Sequence, residues 1–142
     1  MILGIGVDIV HIPRIAALIT RRGKDRLAKR ILSPVEWNEF ESQFLTSSSL
    51  LTDQLRQQKE LTFLGSRWCI KEAVYKALYP TKKLEWKDVT VSKILDKPSI
   101  HIVNGELYGV QKAHVSLSHD GEYTIAQVVL EGKSSSSAGN SG

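Results

Sequence analysis

The chain opens in strict alternation. Leu3, Ile5, Val7 and Ile9 point one way, and Gly4, Gly6, Asp8 and Val10 the other, which is the period of a half-buried β-strand over residues 2–10. The period then changes. Pro13 sits at a favoured first-turn position and opens a helix with the stripe Ile12, Ile15, Leu18 and Ile19, which Gly23 ends. A second short helix covers 24–31. Ser33-Pro34-Val35-Glu36 is a capping box that starts a third, running to about Leu45 with Trp37, Phe40 and Phe44 inward. Residues 46–52 are serine-rich and read as a loop. The longest helix follows. It begins in the polar run from Gln54 to Glu60 and stops at about Tyr79, before Pro80. Within it Ile70, Ala73, Val74, Ala77 and Leu78 form one apolar stripe.

The remainder alternates more than it spirals. Residues 84–94 hold a strand after a turn, Asp96-Lys97-Pro98 a second turn, and Ser99–Val103 a short strand. Asn104-Gly105 marks a turn or cap before a short helical segment to Val110. His114–His119 is a strand with Val115, Leu117 and His119 on one face. Asp120-Gly121 signals a two-residue hairpin, and 122–131 is the clearest strand of the chain. Residues 132–142 are a low-complexity tail expected to be disordered. This order predicts one α+β domain over 1–131, with helices packed on an antiparallel sheet.

Composition narrows the class. The 142 residues, 42% hydrophobic and 24% charged, suffice for one real core. No apolar run approaches the ~20 residues that span a bilayer, so no membrane partner is expected. The first residues show no basic region followed by an apolar run, and no secretory signal is expected. Cys69 is the single cysteine; it excludes an internal disulfide, points to a reducing compartment, and reads as a packing residue. The net charge of +4 is concentrated. Arg14, Arg21, Arg22, Lys24, Arg26, Lys29 and Arg30 stand against Asp25 alone. Such a patch suits an acidic partner, whether nucleic acid or protein.

Chemistry gathers on the long helix. Glu72 and Lys76 lie four apart on the face opposite the stripe, and Arg67 and Lys71 form a second such pair along one flank. A glutamate followed four later by lysine is most often a solvated ion pair. The glycines before Asp8 mark close approach of either a ligand or another backbone. The four histidines lack paired metal-ligand spacing, which argues against zinc. Asp8 and Glu72, without a histidine or thiol partner, suit a hard cation such as Mg²⁺, and Lys71, Lys76, Lys97 and His119 would neutralise phosphates beside it. On the residues alone this is a Mg²⁺-assisted phosphate-ester or diphosphate site with its substrate unidentified.

Three motifs in one order add to that reading. They are Gly4-x-Gly6-x-Asp8; Arg67-Trp68-x-x-Lys71-Glu72-Ala73-x-x-Lys76-Ala77; and Ser116-x-Ser118-His119, followed by the strand from Ala126 to Glu131. Together, from about residue 2 to Glu131, they resemble the phosphopantetheinyl transferases, specifically the small holo-acyl-carrier-protein synthases. The resemblance implies a 4'-phosphopantetheinyl transferase-like fold. It implies transfer of the 4'-phosphopantetheine arm of coenzyme A to a serine of an acyl carrier protein, releasing adenosine 3',5'-bisphosphate. By position, Asp8 and Glu72 would hold Mg²⁺, Glu72 would take the serine proton directly or through a water, and Lys76 would contact the transferring phosphate. Arg67, Lys71, Lys97, Pro98, Ser118 and His119 would join Lys76 in binding coenzyme A, with Lys97, Pro98 and His119 at the adenosine and 3'-phosphate end. Small members are homotrimers with interface sites, so Lys97 and His119 would come from a neighbouring copy. Arg14, Arg21 and Arg22 would dock the acidic carrier, which accounts for the basic patch better than nucleic acid does, since no aromatics are interleaved with it.

Three features depart from the family pattern. Residues 46–57 look inserted, a glycine-rich turn is replaced by Tyr79-Pro80-Thr81-Lys82-Lys83, and His11 stands where an acid is common. A cytoplasmic or mitochondrial location is expected. The competing readings are a non-catalytic basic module binding an acidic protein or nucleic acid, and another coenzyme A or nucleotide phosphotransferase.

Overall fold

The computed structural model describes residues 1–45 and 52–134. Nine regular elements follow in order: β1 (Ile2–His11), α1 (Ile12–Arg22), α2 (Lys24–Ile31), α3 (Pro34–Phe40), α4 (Asp53–Leu78), β2 (Val89–Ile94), β3 (Lys97–Ile102), β4 (Lys112–Asp120) and β5 (Tyr123–Glu131). A π-helical turn, Glu41–Leu45, extends α3, and short 3₁₀ turns precede β2 and β4. β1, β5 and β4 form an antiparallel sheet in that order, and β2 with β3 forms a separate hairpin. The architecture is the α+β arrangement expected, with the 26-residue α4 laid across β1 and β5.

The helix boundaries have local causes. Ser33 accepts a hydrogen bond from the Glu36 amide, and the Glu36 carboxylate accepts one from the Ser33 amide, so the capping box is complete. Thr52 caps α4 by accepting from the Leu55 amide at 3.2 Å. The expected loop over 46–52 otherwise lies outside the described residues. Of the expected insertion, residues 53–57 are the first turns of α4.

The structure decides which row of β1 is covered. The apolar row is the exposed one: Ile5 is 55%, Val7 45% and Ile9 60% accessible. The glycine row faces α4. A Cβ on Gly4 would lie 1.8 Å from the Ala77 carbonyl oxygen, and one on Gly6 1.8 Å from that of Ala73. The glycines therefore admit a helix backbone against the strand, and alternation alone does not say which row is buried.

Two turns shift. Leu95 and Asp96, both at positive φ, make the β2–β3 turn, so Lys97 and Pro98 belong to β3 rather than to the turn. Gly121 and Glu122, rather than Asp120 and Gly121, turn β4 into β5, because Asp120 still pairs with Tyr123. Gly132 belongs to the fold rather than to a disordered tail, since its amide donates to the Met1 carbonyl at 2.8 Å. Residues 135–142 of that expected tail lie outside the described ones.

Two apolar clusters result. One packs Ile70, Ala73, Val74, Ala77 and Leu78 of α4 against Val10, Ala126, Val128 and Leu130 of the sheet. The other gathers Leu27, Ile31, Phe40, Phe44, Phe63 and Leu64 between α2, α3 and the first half of α4.

Candidate active site

The glycine approach places Asp8, the next residue on the inward row of β1, beside the exposed flank of α4. Lys76 reaches back across the gap. Its Nζ donates to Asp8 Oδ1 at 3.1 Å and to the Val7 carbonyl at 3.0 Å. The Asp8 side chain is 14% accessible and that of Lys76 51%, so the pair stands at the edge of solvent. The Asp8 backbone is held from below, where Cys69 Sγ donates to its carbonyl at 3.3 Å. Burial pushes the Cys69 thiol up to about 12, so it is a packing and hydrogen-bonding group and not a nucleophile.

Glu72 lies one helical turn before Lys76 and is half-buried. Burial raises its carboxyl above the usual range, and the nearby Asp8 charge adds to the rise; Lys76 and Arg14 oppose it. Four groups named from the sequence, Asp8, Glu72, Lys76 and Arg14, are thus brought within one electrostatic neighbourhood. Two carboxylates that repel each other, partly shielded and open to a cleft, make a donor set for a hard divalent cation that takes its other ligands from water and phosphate. No group of three or more histidine, cysteine or acidic side chains that would cage a metal occurs among the described residues.

Arg67 and Lys71, expected to contact a phosphate, are turned inward: Lys71 borders the same cleft as Glu72, but its ammonium is committed to partners in the interior, and Arg67 does not line that cleft. Lys71 is 3% accessible, and its three donors are spent on Glu36, on the Ile31 carbonyl at 2.7 Å and on the Trp86 carbonyl at 3.0 Å. Arg67 lies over the Phe63 ring, 3.4 Å from its centroid, with ion pairs to Glu36 at 3.5 Å and Glu39 at 3.7 Å. The cause is Glu36, which caps α3, is fully buried, and also accepts from the Val91 amide at 2.9 Å. Burial lowers the pKa of both cations against the pull of Glu36.

Lys97 and Pro98 stand at the turn end of β3, on the separate hairpin. Ser118 and His119 are exposed near the end of β4. His119 lies across β5 from Val10 through Thr124, about 10 Å away at ordinary strand spacing. One copy of the chain therefore does not gather these four around Asp8. His11 is paired with Glu122 at 2.8 Å, so an acid reaches this position from the β4–β5 turn.

Three clefts border residues of this neighbourhood, one through Glu72, one through Arg14 and one through Lys76. One of about 490 Å³ lies between Arg30, Lys71, Glu72, Tyr75, Leu84 and Trp86. One of about 480 Å³ runs between α1 and α2, past Arg14, Arg21, Arg22, Arg30 and Trp68. The third, about 410 Å³, is bounded by Tyr75, Lys76, Tyr79 and Lys83. Sequence reasoning did not single out Arg30, Trp86 or Tyr75. Arg30 belonged to the basic run, but only folding showed that it borders both of the first two clefts.

Comparison with known proteins gives the family. The 4'-phosphopantetheinyl transferase superfamily matches residues 4–128. A holo-[acyl-carrier-protein] synthase of Erwinia tasmaniensis is 35% identical over 138 residues, covering 92% of this chain and 98% of that protein. Among solved structures, the holo-[acyl-carrier-protein] synthase of Neisseria meningitidis superposes with a TM-score of 0.72 at 27% identity, covering 92% of this chain and 99% of its own. That of Helicobacter pylori, solved in complex with coenzyme A, gives 0.66 at 28% identity over 89% of this chain and 99% of its own. With the family matched over residues 4–128 and the fold shared along nearly its whole length, the chain belongs to the 4'-phosphopantetheinyl transferase superfamily, on its holo-[acyl-carrier-protein] synthase branch.

Proposed function

We propose that this chain moves the 4'-phosphopantetheine arm of coenzyme A onto a serine of an apo acyl carrier protein, leaving adenosine 3',5'-bisphosphate. The observation that carries the reading is the Lys76–Asp8 bridge beside a half-buried Glu72, on the motifs that define the family. Asp8 and Glu72 would hold Mg²⁺, which when bound neutralises the charge developing on the diphosphate. The residues do the rest. Glu72, at the cleft edge beside Asp8, accepts the proton of the carrier serine, directly or through a water. Lys76, anchored to Asp8, presents its ammonium to the transferring phosphate. The serine oxygen forms the new P–O bond as the bridging oxygen leaves with the nucleotide.

The groove between α1 and α2 supports docking of an acidic carrier through Arg14, Arg21 and Arg22, and Arg14 lies close enough to act on the charge of Glu72. The exposed apolar row of β1, with Tyr123 and Ile125 of β5 beside it, supports a homotrimer in which a neighbouring copy brings Lys97, Pro98, Ser118 and His119 to the site. No described helix is long and apolar enough to cross a membrane. We place the reaction in the cytoplasm; the bacterial relatives named above lend no support to a mitochondrial site.

The test is to incubate the protein with coenzyme A, Mg²⁺ and an apo carrier, and to weigh the carrier by intact mass spectrometry. The expected result is a gain of one phosphopantetheine that disappears with EDTA. A folded protein that binds several carriers and modifies none would instead support a non-catalytic module.

A further inference from the structure

One buried ammonium has no part in the transfer chemistry described so far. Lys71 stands directly before Glu72 on α4, and its Nζ donates to groups on three other segments. Charge balance at Glu36 explains only one of these bonds, and that carboxylate already has the Arg67 guanidinium at 3.5 Å. The other two go to neutral carbonyls, Ile31 at 2.7 Å and Trp86 at 3.0 Å. Ile31 is the last residue of α2. Its carbonyl lies beyond the intrahelical bonds, at the helix end where a cation is favoured. Trp86 opens the 3₁₀ turn before β2.

The side chains on these two segments line one cleft. Arg30, next to Ile31, and Trp86 both border the cleft that Glu72 borders. Arg30 also borders the groove between α1 and α2, together with Trp68, and the Trp68 and Trp86 rings lie 4.8 Å apart. Arg30 and the two rings thus stand where the groove and the cleft meet. No local rule sets the spacing of two segments so far apart in sequence. Two oxygens held by one nitrogen cannot drift apart. We infer that Lys71 is a positioning residue of the transfer reaction: its ammonium ties the Ile31 carbonyl to the Trp86 carbonyl and so fixes the wall that Arg30 and Trp86 give to the cleft beside Glu72. This rests on the reaction proposed above and gives Lys71 a part in it without contact to substrate.

The test compares Lys71→Met with Glu36→Gln in the full chain. Both disturb the buried charges, but only the first frees the two carbonyls. One readout is the circular dichroism of the coupled Trp68 and Trp86 rings, taken without substrate and assigned with Trp86→Phe. The other is kcat/KM for transfer. Lys71→Met is expected to lose the ring signal and about 10²-fold in kcat/KM, the size of effect that a small misplacement of a site produces. Glu36→Gln is expected to keep both, despite a lower unfolding midpoint. Should Lys71→Met not fold, the double variant Glu36→Gln with Lys71→Met removes both charges, and its difference from Glu36→Gln alone isolates the lysine. A retained ring signal or unchanged transfer in the lysine variants overturns the inference, as does an equal loss in Glu36→Gln. The ring signal needs no substrate. If it is lost with Lys71 in a chain that modifies no carrier, the tie stands and the reaction is wrong.

Discussion

Helix α4 carries two pairs of charged residues, each four apart, one directly after the other. Arg67 and Lys71 come first; Glu72 and Lys76 follow. In the sequence they look alike. In the fold they part completely. The first pair is buried around Glu36 and joins α2, α3, α4 and β2 into one polar knot. The second opens to the cleft beside Asp8. Lys71 and Glu72 are adjacent, yet the ~100° step of the helix sends one into the interior and the other to its edge. Spacing on a helix thus identifies which residues act together, but what packs on each flank decides whether they bind a substrate or hold the fold.

The sharpest way to break this contrast is to neutralise each carboxylate in turn. Glu72→Gln is expected to lower transfer by about 10²–10⁴-fold, the usual worth of a positioned proton acceptor, with an unchanged unfolding midpoint. Glu36→Gln should do the reverse. It leaves two buried cations without their main counter-charge and costs about 3–5 kcal/mol of stability in urea unfolding. Replacing the three charges with Glu36→Leu, Lys71→Met and Arg67→Met together is expected to recover only part of that loss, because the buried charges go but the Ser33 and Val91 amides and the Ile31 and Trp86 carbonyls lose their partners. Full transfer activity in Glu72→Gln would erase the distinction.

Two smaller effects sharpen it. Gly6→Ala forces a methyl group onto the Ala73 carbonyl, and overpacking of this kind costs about 1–3 kcal/mol. Because it pushes β1, and with it Asp8, away from α4, the thermal midpoint and transfer should fall together. Arg14→Glu leaves the knot around Glu36 untouched. It is expected to weaken carrier binding about tenfold while the affinity for coenzyme A is kept; equal loss of both, measured side by side, would reject the docking role.

Much of this was legible from residues. The capping box, the four helices and the junction at Pro80 follow from local rules, because each depends on neighbours a few positions away. The placement of Asp8, Glu72 and Lys76 followed from motifs. What escaped depends on distant partners. The facing of β1 is set by the approach of α4, some seventy residues later, so alternation showed two rows without showing which was covered. Lys71 read as a phosphate ligand because Glu36, thirty-five positions earlier, was credited only with its capping bond. The β2–β3 turn was misplaced because Leu95, an unusual residue at positive φ, takes a position where glycine or asparagine is expected.

The continuity of α4 has a consequence for how the molecule comes apart. Its first half supplies Phe63 and Leu64 to one cluster and its second half supplies Ile70 to Leu78 to the other, while Trp68 packs against both. Neither cluster can dissolve without exposing helix that the other also needs. The amide protons in the middle of α4 should therefore exchange with solvent only through opening of the whole chain, and their exchange rates report the global free energy of folding.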